Sequence, residues 1–306
     1  MKHCISLQDF TSEEVQGLVR QALAIKRDPK RFRRMLADRW LLMLFQKPST
    51  RTRLSFEMGI GLLGGRSIVM DWDSSNFAIS PIRYEARYVS SHADLVMARL
   101  KHHSDTLALA EHSQVPVING CDDRFHPCQA LADLLTIYEA AGTLSGQTLT
   151  YVGIHNNVAN SRALGCARTG TRLILVTPEV NPPAHDPFML DELERAGVIE
   201  RTLDLRGAVQ RSQFVYTDTW VDMEFFNDPA FEAQKNKRIE TMRPYQLNRE
   251  ILDGSSAQIL HDMPIHPGFE IAEELIDDPR SLIYRQAENR LYAQQALMIH
   301  LLDGGA

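Results

Sequence analysis

The chain of 306 residues is long enough for two domains with substantial cores, and 44% hydrophobic and 24% charged residues are typical of globular proteins. A net charge of −6 gives no overall attraction to nucleic acid or to an anionic membrane, so neither is expected as a partner. No apolar run approaches the roughly 18 residues of a membrane span, and the first residues do not lead into a signal-peptide core. The four cysteines are scattered without disulfide or zinc spacing, which predicts a reducing cytoplasm and no metal site.

A buried strand followed by a helix is the clearest signal in the first hundred residues. Residues 40–45 form a short, continuous apolar run, which is typical of a buried strand. The following residues predict a helix over about residues 50–62, whose apolar face repeats at helical spacing through Leu54, Met58 and Leu62. Two glycines then end the helix, as a helix C-terminus prefers.

Strand and helix patterns alternate along the rest of the chain, and a short break at residues 142–146 separates two halves of similar architecture. Further strands are predicted at residues 66–71, 93–100, 115–120, 148–154, 172–176, 213–217 and 258–260, and further helices from 11 or 12, at 84–91 and 126–141, after 158 and at 287–302. This alternation predicts an α/β fold of two doubly wound parallel-sheet domains, with a C-terminal helix that returns to the first domain. We expect residues 1–141 and 287–306 to form the first domain and residues 142–286 the second.

The start of the second predicted helix carries donors suited to an anion. Ser49, Thr50, Arg51, Thr52 and Arg53 follow one another directly after the buried strand. A helix N-terminus offers unpaired backbone N–H groups and the positive end of the helix dipole. With two hydroxyl and two guanidinium groups beside it, the segment predicts a phosphate site. The alternative is that the hydroxyls only cap the helix and the arginines are solvated.

Other polar residues are placed where strands of a parallel sheet end, which is where ligands of such sheets bind. Arg99 closes one predicted strand, and His126 and Gln129 lie three residues apart at a helix start, on one helix face. A lone His-Pro pair is more often a structural turn. Together with Arg99 and the anion segment, however, these residues indicate a shared site.

These residues resemble, position for position, the carbamoyl-phosphate motifs of the aspartate/ornithine carbamoyltransferase family. The segment Ser49-Thr50-Arg51-Thr52-Arg53 matches the phosphate motif, and its flanking residues are closer to the ornithine branch. The resemblance implies transfer of a carbamoyl group from carbamoyl phosphate to an amine acceptor, with no metal or organic cofactor. It implies that Ser49, Thr50, Arg51 and Thr52 hold the phosphate, that Thr52, Arg99, His126 and Gln129 hold the carbamoyl oxygen and amide, and that Arg290 reaches back to the carbamoyl phosphate.

The second half resembles the acceptor-binding segments of the ornithine branch less closely. The stretch Asn156-Asn157-Val158-Ala159-Asn160 is similar to that branch's asparagine motif, which gives Asn157 a contact to the amino-acid end of the acceptor. Asp218 starts a segment that is similar to the one that pairs with the acceptor's α-ammonium. The resemblance places the acceptor against Asn157, Asp218, Asp222, Met223, Asp262 and Met263.

Three acidic residues depart from the ornithine pattern. Asp222 stands where that branch has serine, Glu224 where it has glycine, and Asp262 where it has the cysteine beside the reacting amine. If these carboxylates converge with Asp218, the acceptor is cationic and ornithine is not the best substrate. Asp262 would orient the attacking amine or take its proton. The alternative is that Asp222 and Glu224 point to solvent and only Asp218 matters.

The resemblance also implies a homotrimer whose sites lie between subunits. Residues 73–80 occupy the position of the loop that completes a neighbouring site, with Ser75 or Asn76 as the donor. A protein that binds carbamoyl phosphate or another anion without turnover is an alternative function. A nicotinamide dehydrogenase is disfavoured, because no glycine-rich dinucleotide fingerprint follows a predicted strand.

Overall fold

The computed structural model describes residues 1–221 and 229–303, and within them the chain forms two parallel sheets, each flanked by helices. The strands of the first sheet are β1 Trp40–Phe45, β2 Arg66–Asp71, β3 Leu95–Arg99 and β4 Val117–Cys121, and those of the second are β5 Thr148–His155, β6 Arg172–Val180, β7 Ile199–Arg201, β8 Phe214–Thr217 and β9 Gln258–His261. The sheet orders are β2-β1-β3-β4 and β7-β6-β5-β8-β9. The predicted fold class, two parallel-sheet α/β domains with a C-terminal helix, is confirmed.

Helices connect the strands on both faces of each sheet. In chain order they are α1 Ser12–Arg27, α2 Thr50–Leu62, α3 Ile82–Ser90, α4 His103–His112, α5 Pro127–Ala141, α6 Asn157–Thr169, α7 Pro187–Arg195, α8 Leu205–Gln210, α9 Glu232–Met242 and α10 Ile283–Asp303. Helix α1 starts at Ser12, as predicted, and a reciprocal capping pair between Thr11 and Glu14 precedes its first turn. Ser49 caps α2, and its side chain accepts a hydrogen bond from the backbone of Thr52.

One core extends through both halves of the chain. It includes buried side chains from both sheets together with those of α1, α5, α6 and α10. Helix α10 packs against α1, α2 and α5. Gln295 of α10 donates a hydrogen bond to the backbone of Gly59 in α2, and Asn289 bonds Thr136 in α5. The C-terminal helix therefore lies on the first sheet's helices; the division of the chain at residues 141–142 and 286–287 stays a prediction.

The apolar stripe from which α2 is predicted does not face the core of this chain. Leu54, Met58 and Leu62 are 57%, 54% and 47% exposed. The face that packs instead carries Phe56 and Ile60 together with small residues. Small side chains let α10 approach closely, since Met298 of α10 lies 3.2 Å from where a Cβ on Gly59 would be. The apolar stripe Leu54-Met58-Leu62 is thus left on the surface of the single chain.

Several short or polar elements were not predicted from the sequence. They are α4, α7, α8, α9 and the three-residue edge strand β7. The segment 73–80, predicted as a loop, contains one 3-10 turn at Asn76–Ala78. In the described ranges no helix is long and apolar enough to cross a membrane.

Candidate active site

The carboxyl ends of strands from both sheets open on one cavity of about 430 Å³. Parallel sheets place the loops that follow their strands, and the N-termini of the next helices, at this edge. The cavity is lined by Lys47, Pro48, Ser49, Thr50, Arg51, Arg99, Cys121, His126, Asn156, Asn157, Val158, Asp218, Thr219, Asp262, Met263, Pro264 and Arg290. Both halves of the chain therefore contribute side chains to the same space.

Most residues predicted for the site line this cavity. Thr52 and Gln129 do not; both are fully buried and lie behind Arg290. Asp222, Met223 and Glu224 fall outside the described residues. Lys47, Asn156 and Thr219 line the cavity without having been singled out from the sequence. They could have been found from the sequence, because each lies one or two positions from a predicted residue on the same loop.

The first-sheet side of the cavity is cationic. Lys47, Arg51, Arg99 and Arg290 all face it, beside the N-terminus of α2. Burial lowers the pKa of Arg51, which the nearby Asp262 carboxyl partly offsets. Arg53, by contrast, is exposed and forms an ion pair with Glu57. The anion segment therefore supplies one guanidinium to the cavity, not the two expected.

Arg290 and its neighbours form a second group of donors. The Arg290 Nη1 donates to Oε1 of Gln129 at 2.7 Å, and Nη2 donates to Oγ1 of Thr52 at 3.1 Å. Within the described residues, three buried nitrogens of this region have no hydrogen-bond partner: Nε of Arg290, Nε of Arg99 and Nδ1 of His126. Buried polar atoms are normally paired, so these three nitrogens point to a ligand, and the two guanidinium Nε–H groups require acceptor oxygens on it.

His126 is held as a neutral imidazole. Burial lowers its pKa well below the usual range, and the charges of Arg290, Arg99, Lys47 and Arg51 lower it further. Its backbone N–H donates to Oγ of Ser161 in α6 at 2.6 Å, so the second half of the chain helps to place it. A neutral imidazole acts as a hydrogen-bonding group without adding to the positive charge of the cavity.

The second-sheet side of the cavity is acidic. Asp218 follows β8, is 2% exposed, and accepts hydrogen bonds from Asn156 Nδ2 at 2.8 Å and from the Tyr151 hydroxyl at 3.3 Å. Asn156 also caps α6 through its side-chain oxygen. Asn157, the first residue of α6, donates to the backbone oxygen of Asp122 in the first half of the chain. The acceptor-side loops are thus fixed by side-chain bonds on both sides.

Asp262 lies beside Asp218. Burial raises the pKa of Asp262 well above its usual range, and the charge of Asp218 and a hydrogen bond between the two carboxyl groups raise it further. Its Oδ1 is buried without a hydrogen-bond partner in the described part of the chain. Arg162 and Arg51 act in the opposite direction on the pKa. Two carboxyl groups in contact share one proton more readily than they both ionise.

The loop that carries Asp262 is fixed by a buried histidine. His261 Nδ1 accepts from the backbone of Met263 at 2.9 Å, and its Nε2 lies 3.1 Å from the buried Glu270 carboxylate. Met263 has a positive φ of 60°, which is uncommon for a non-glycine residue and is found often at ligand sites. No group of three or more His, Cys, Asp or Glu side chains in residues 1–221 and 229–303 is arranged to hold a metal ion.

Two family models match consecutive parts of the chain. Residues 2–139 match the carbamoyl-P binding domain of aspartate/ornithine carbamoyltransferase, and residues 145–301 match the Asp/Orn binding domain. The ornithine carbamoyltransferase of Haloquadratum walsbyi is 40% identical over 303 residues, covering 98% of this chain and 97% of that protein. The corresponding protein of Archaeoglobus fulgidus is 37% identical over 310 residues, covering 99% and 98%.

Solved structures give the same result. The ornithine carbamoyltransferase of Pyrococcus furiosus superposes with a TM-score of 0.89 at 36% identity, covering 100% of this chain and 98% of that one. That of Thermus thermophilus superposes with a TM-score of 0.87 at 33% identity, covering 99% of both chains.

Proposed function

Because this chain belongs to the aspartate/ornithine carbamoyltransferase family, we propose that it transfers the carbamoyl group of carbamoyl phosphate to an ornithine-like diamino acid or a related amine. The observation that carries this proposal is the polarity of the cavity. Its first-sheet side presents Arg51, Arg99 and Arg290, and its second-sheet side presents Asp218 and Asp262. A dianionic donor and a cationic acceptor fit these two sides.

The phosphate end of the donor lies at the N-terminus of α2 in this proposal. Backbone N–H groups and the Thr50 hydroxyl are available there, and Arg51 supplies a charged partner. The Ser49 hydroxyl, which donates to Thr52 in this structure, would turn to the phosphate. Thr52 contributes indirectly, because its hydroxyl oxygen is already an acceptor for Arg290 and Ser49. These contacts stabilise the phosphate that leaves the carbamoyl carbon.

The carbamoyl end lies among the unpaired donors of Arg99, His126 and Arg290. When the neutral amine attacks the carbamoyl carbon, a C–N bond forms and negative charge builds on the carbonyl oxygen. The C–O bond to phosphate then breaks, and the amine nitrogen passes its proton to the departing phosphate or to the carboxyl pair of Asp218 and Asp262. Donors fixed in place before the reaction stabilise the developing charge without reorganisation. Gln129 acts from behind, by holding the Arg290 guanidinium.

The acceptor lies against Asp218 and Asp262, with Asn157 and Met263 beside it. A raised pKa brings the Asp262 carboxyl closer to the operating pH, as a group that exchanges a proton with the amine requires. A carboxyl group at this position differs in charge and hardness from a thiol. We therefore expect ornithine to be a poor or non-optimal substrate. The predicted roles of Asp222 and Met223 remain part of this proposal.

A phosphate-release assay with carbamoyl phosphate and a panel of amines tests the proposal. The panel contains ornithine, shorter and longer diamino acids, simple diamines and monoamino acids as uncharged-side-chain controls. The proposal predicts phosphate release that depends on a cationic acceptor other than ornithine. A strong preference for ornithine would overturn the altered acceptor but not carbamoyl transfer. Phosphate release unaffected by every amine would favour an anion-binding protein.

A further inference from the structure

We infer that Asp133 is a positioning residue that couples the donor and acceptor sides of the cavity; this rests on the proposed function. Asp133 lies in α5, is 1% exposed, and does not face the cavity. It contacts side chains from α5, α6 and α10, which meet where the two halves of the chain join. A buried carboxylate in such a place requires several partners.

Both carboxylate oxygens of Asp133 accept hydrogen bonds from buried side chains. Its Oδ1 accepts hydrogen bonds from Gln129 Nε2 at 2.9 Å and from Gln286 Nε2 at 2.5 Å. Its Oδ2 accepts from Nε of Arg162 at 2.9 Å and lies 2.8 Å from Nη2 of the same guanidinium. Because one carboxylate receives all of these groups, a movement of any one of them changes the positions of the others.

One branch leads to the donor side. Gln129 uses its Nε2 for Asp133, which leaves its Oε1 to accept from Arg290 Nη1 at 2.7 Å. Arg290 faces the cavity, and its Nε has no partner among the described residues. Asp133 therefore fixes which end of the Gln129 amide meets Arg290, and so fixes the guanidinium that faces the donor.

The other branch leads to the acceptor side. Gln286 uses its Nε2 for Asp133, and its Oε1 accepts from the backbone N–H of His261 at 2.8 Å. His261 ends β9, and Asp262 follows directly. A second path runs through Arg162, whose guanidinium carbon lies 3.2 Å from the centroid of the Tyr216 ring in β8, two residues before Asp218. Both acceptor carboxyl groups are therefore tied to Asp133 through one intermediate residue and a strand end.

The coupling is expected to appear as acceptor binding that depends on this network. Asp133→Asn is the direct variant, but it leaves the buried Arg162 guanidinium without its carboxylate and can prevent folding. Gln286→Met cuts only the branch to His261 and keeps the pair between Asp133 and Arg162. We expect it to raise the KM for the acceptor about tenfold and to change carbamoyl-phosphate affinity less than about twofold.

Gln295→Met is the matched control. Gln295 lies in the same helix, is buried, and donates one hydrogen bond to the backbone of Gly59 in α2, away from Asp133. We expect Gln295→Met to lose stability as Gln286→Met does, but to keep the wild-type KM for the acceptor. Equal KM values in Gln286→Met and Gln295→Met would overturn the inference and leave carbamoyl transfer intact.

A double variant tests the coupling itself. If Gln129 and Gln286 act through one carboxylate, Gln129→Met combined with Gln286→Met lowers kcat/KM by less than the product of the two single effects. Independent, multiplying effects would overturn the inference. Absence of amine-dependent phosphate release in the wild-type protein would instead overturn the proposed function, and this inference with it.

Discussion

Asp218 and Asp262 bring two carboxyl groups into contact at the acceptor side of the cavity. The sequence placed each of them by motif position, but it did not show that they meet. Their contact depends on β8 and β9 being neighbours in the second sheet, with Thr217 opposite His261. Residues 44 positions apart in the chain are brought together by that register, which no local pattern reveals.

Asp262→Asn is predicted to stabilise the ligand-free protein while lowering turnover. The pKa of Asp262 is raised in the folded state, so folding favours its protonated form. The protonated Asp262 carboxyl adds to the free energy of unfolding. This addition is complete below the unfolded pKa of about 3.9 and is lost as the pH rises through the folded pKa. The asparagine side chain does not ionise, so the variant keeps its stability as the pH rises. Its free energy of unfolding therefore exceeds that of the wild type by a margin that grows to about 1 to 3 kcal/mol in mildly alkaline buffer.

Urea denaturation of both proteins between pH 4 and pH 9 measures this difference, and phosphate release measures turnover. A constant difference in unfolding free energy across that range would contradict the assigned pKa. Unchanged turnover in the variant would contradict a role for Asp262 in handling the amine proton. Carbamoyl-phosphate affinity serves as the control, because it is expected to change less than turnover.

The different directions of Arg51 and Arg53 could have been predicted from the sequence. Residues two apart on a helix are separated by about 200° around its axis, so Arg51 and Arg53 cannot both face one cavity. Thr52 and Gln129 are a different case. Their position behind Arg290 depends on α10 returning to α2 and α5, a long-range contact that motif spacing does not encode.

Helix α2 illustrates the limits of prediction for a whole element. Its start after the capping residue Ser49 and its end before two glycines follow from capping chemistry, and the structure agrees with both. Its apolar stripe is the exposed side, and a face with small residues packs on α10 instead. Periodicity locates an apolar stripe, but it does not say whether the same chain covers it. Elements such as β7 and α8 are too short to show a period.

Gly64→Ala is predicted to destabilise the turn after α2. Gly64 has a φ of 91°, and a Cβ there would lie 2.7 Å from the backbone oxygen of Arg33. Both the positive φ and this close contact disfavour a side chain, so we expect the free energy of unfolding to fall by roughly 1 to 3 kcal/mol. Gly61→Ala is the control, since a Cβ at Gly61 meets nothing within 4 Å in the interior of α2. It is expected to be neutral or to stabilise by up to about 1 kcal/mol. Thermal denaturation showing equal effects would contradict the assignment.

At the scale of the molecule, the exposed stripe Leu54-Met58-Leu62 supports the predicted homotrimer. Apolar side chains aligned along one helix face mark surfaces that bind other proteins. Residues 73–80 do not line the cavity of their own chain, which fits the role proposed for Ser75 or Asn76 in a neighbouring site. Multi-angle light scattering is expected to give three times the mass of one chain. The variant Met58→Lys is expected to lower that mass, and a monomeric wild-type protein would remove the shared-site proposal.

In the proposed function, the N-terminus of α2 and Arg51 hold the phosphate of the donor. Isothermal titration of carbamoyl phosphate into wild type, Arg51→Ala and Arg53→Ala tests it most directly, because Arg53 lies on the same helix but is exposed and paired with Glu57. A lost charge-assisted contact predicts an affinity about ten- to a hundredfold weaker for Arg51→Ala, and within about twofold of wild type for Arg53→Ala. Equal affinities in all three proteins would contradict the claim.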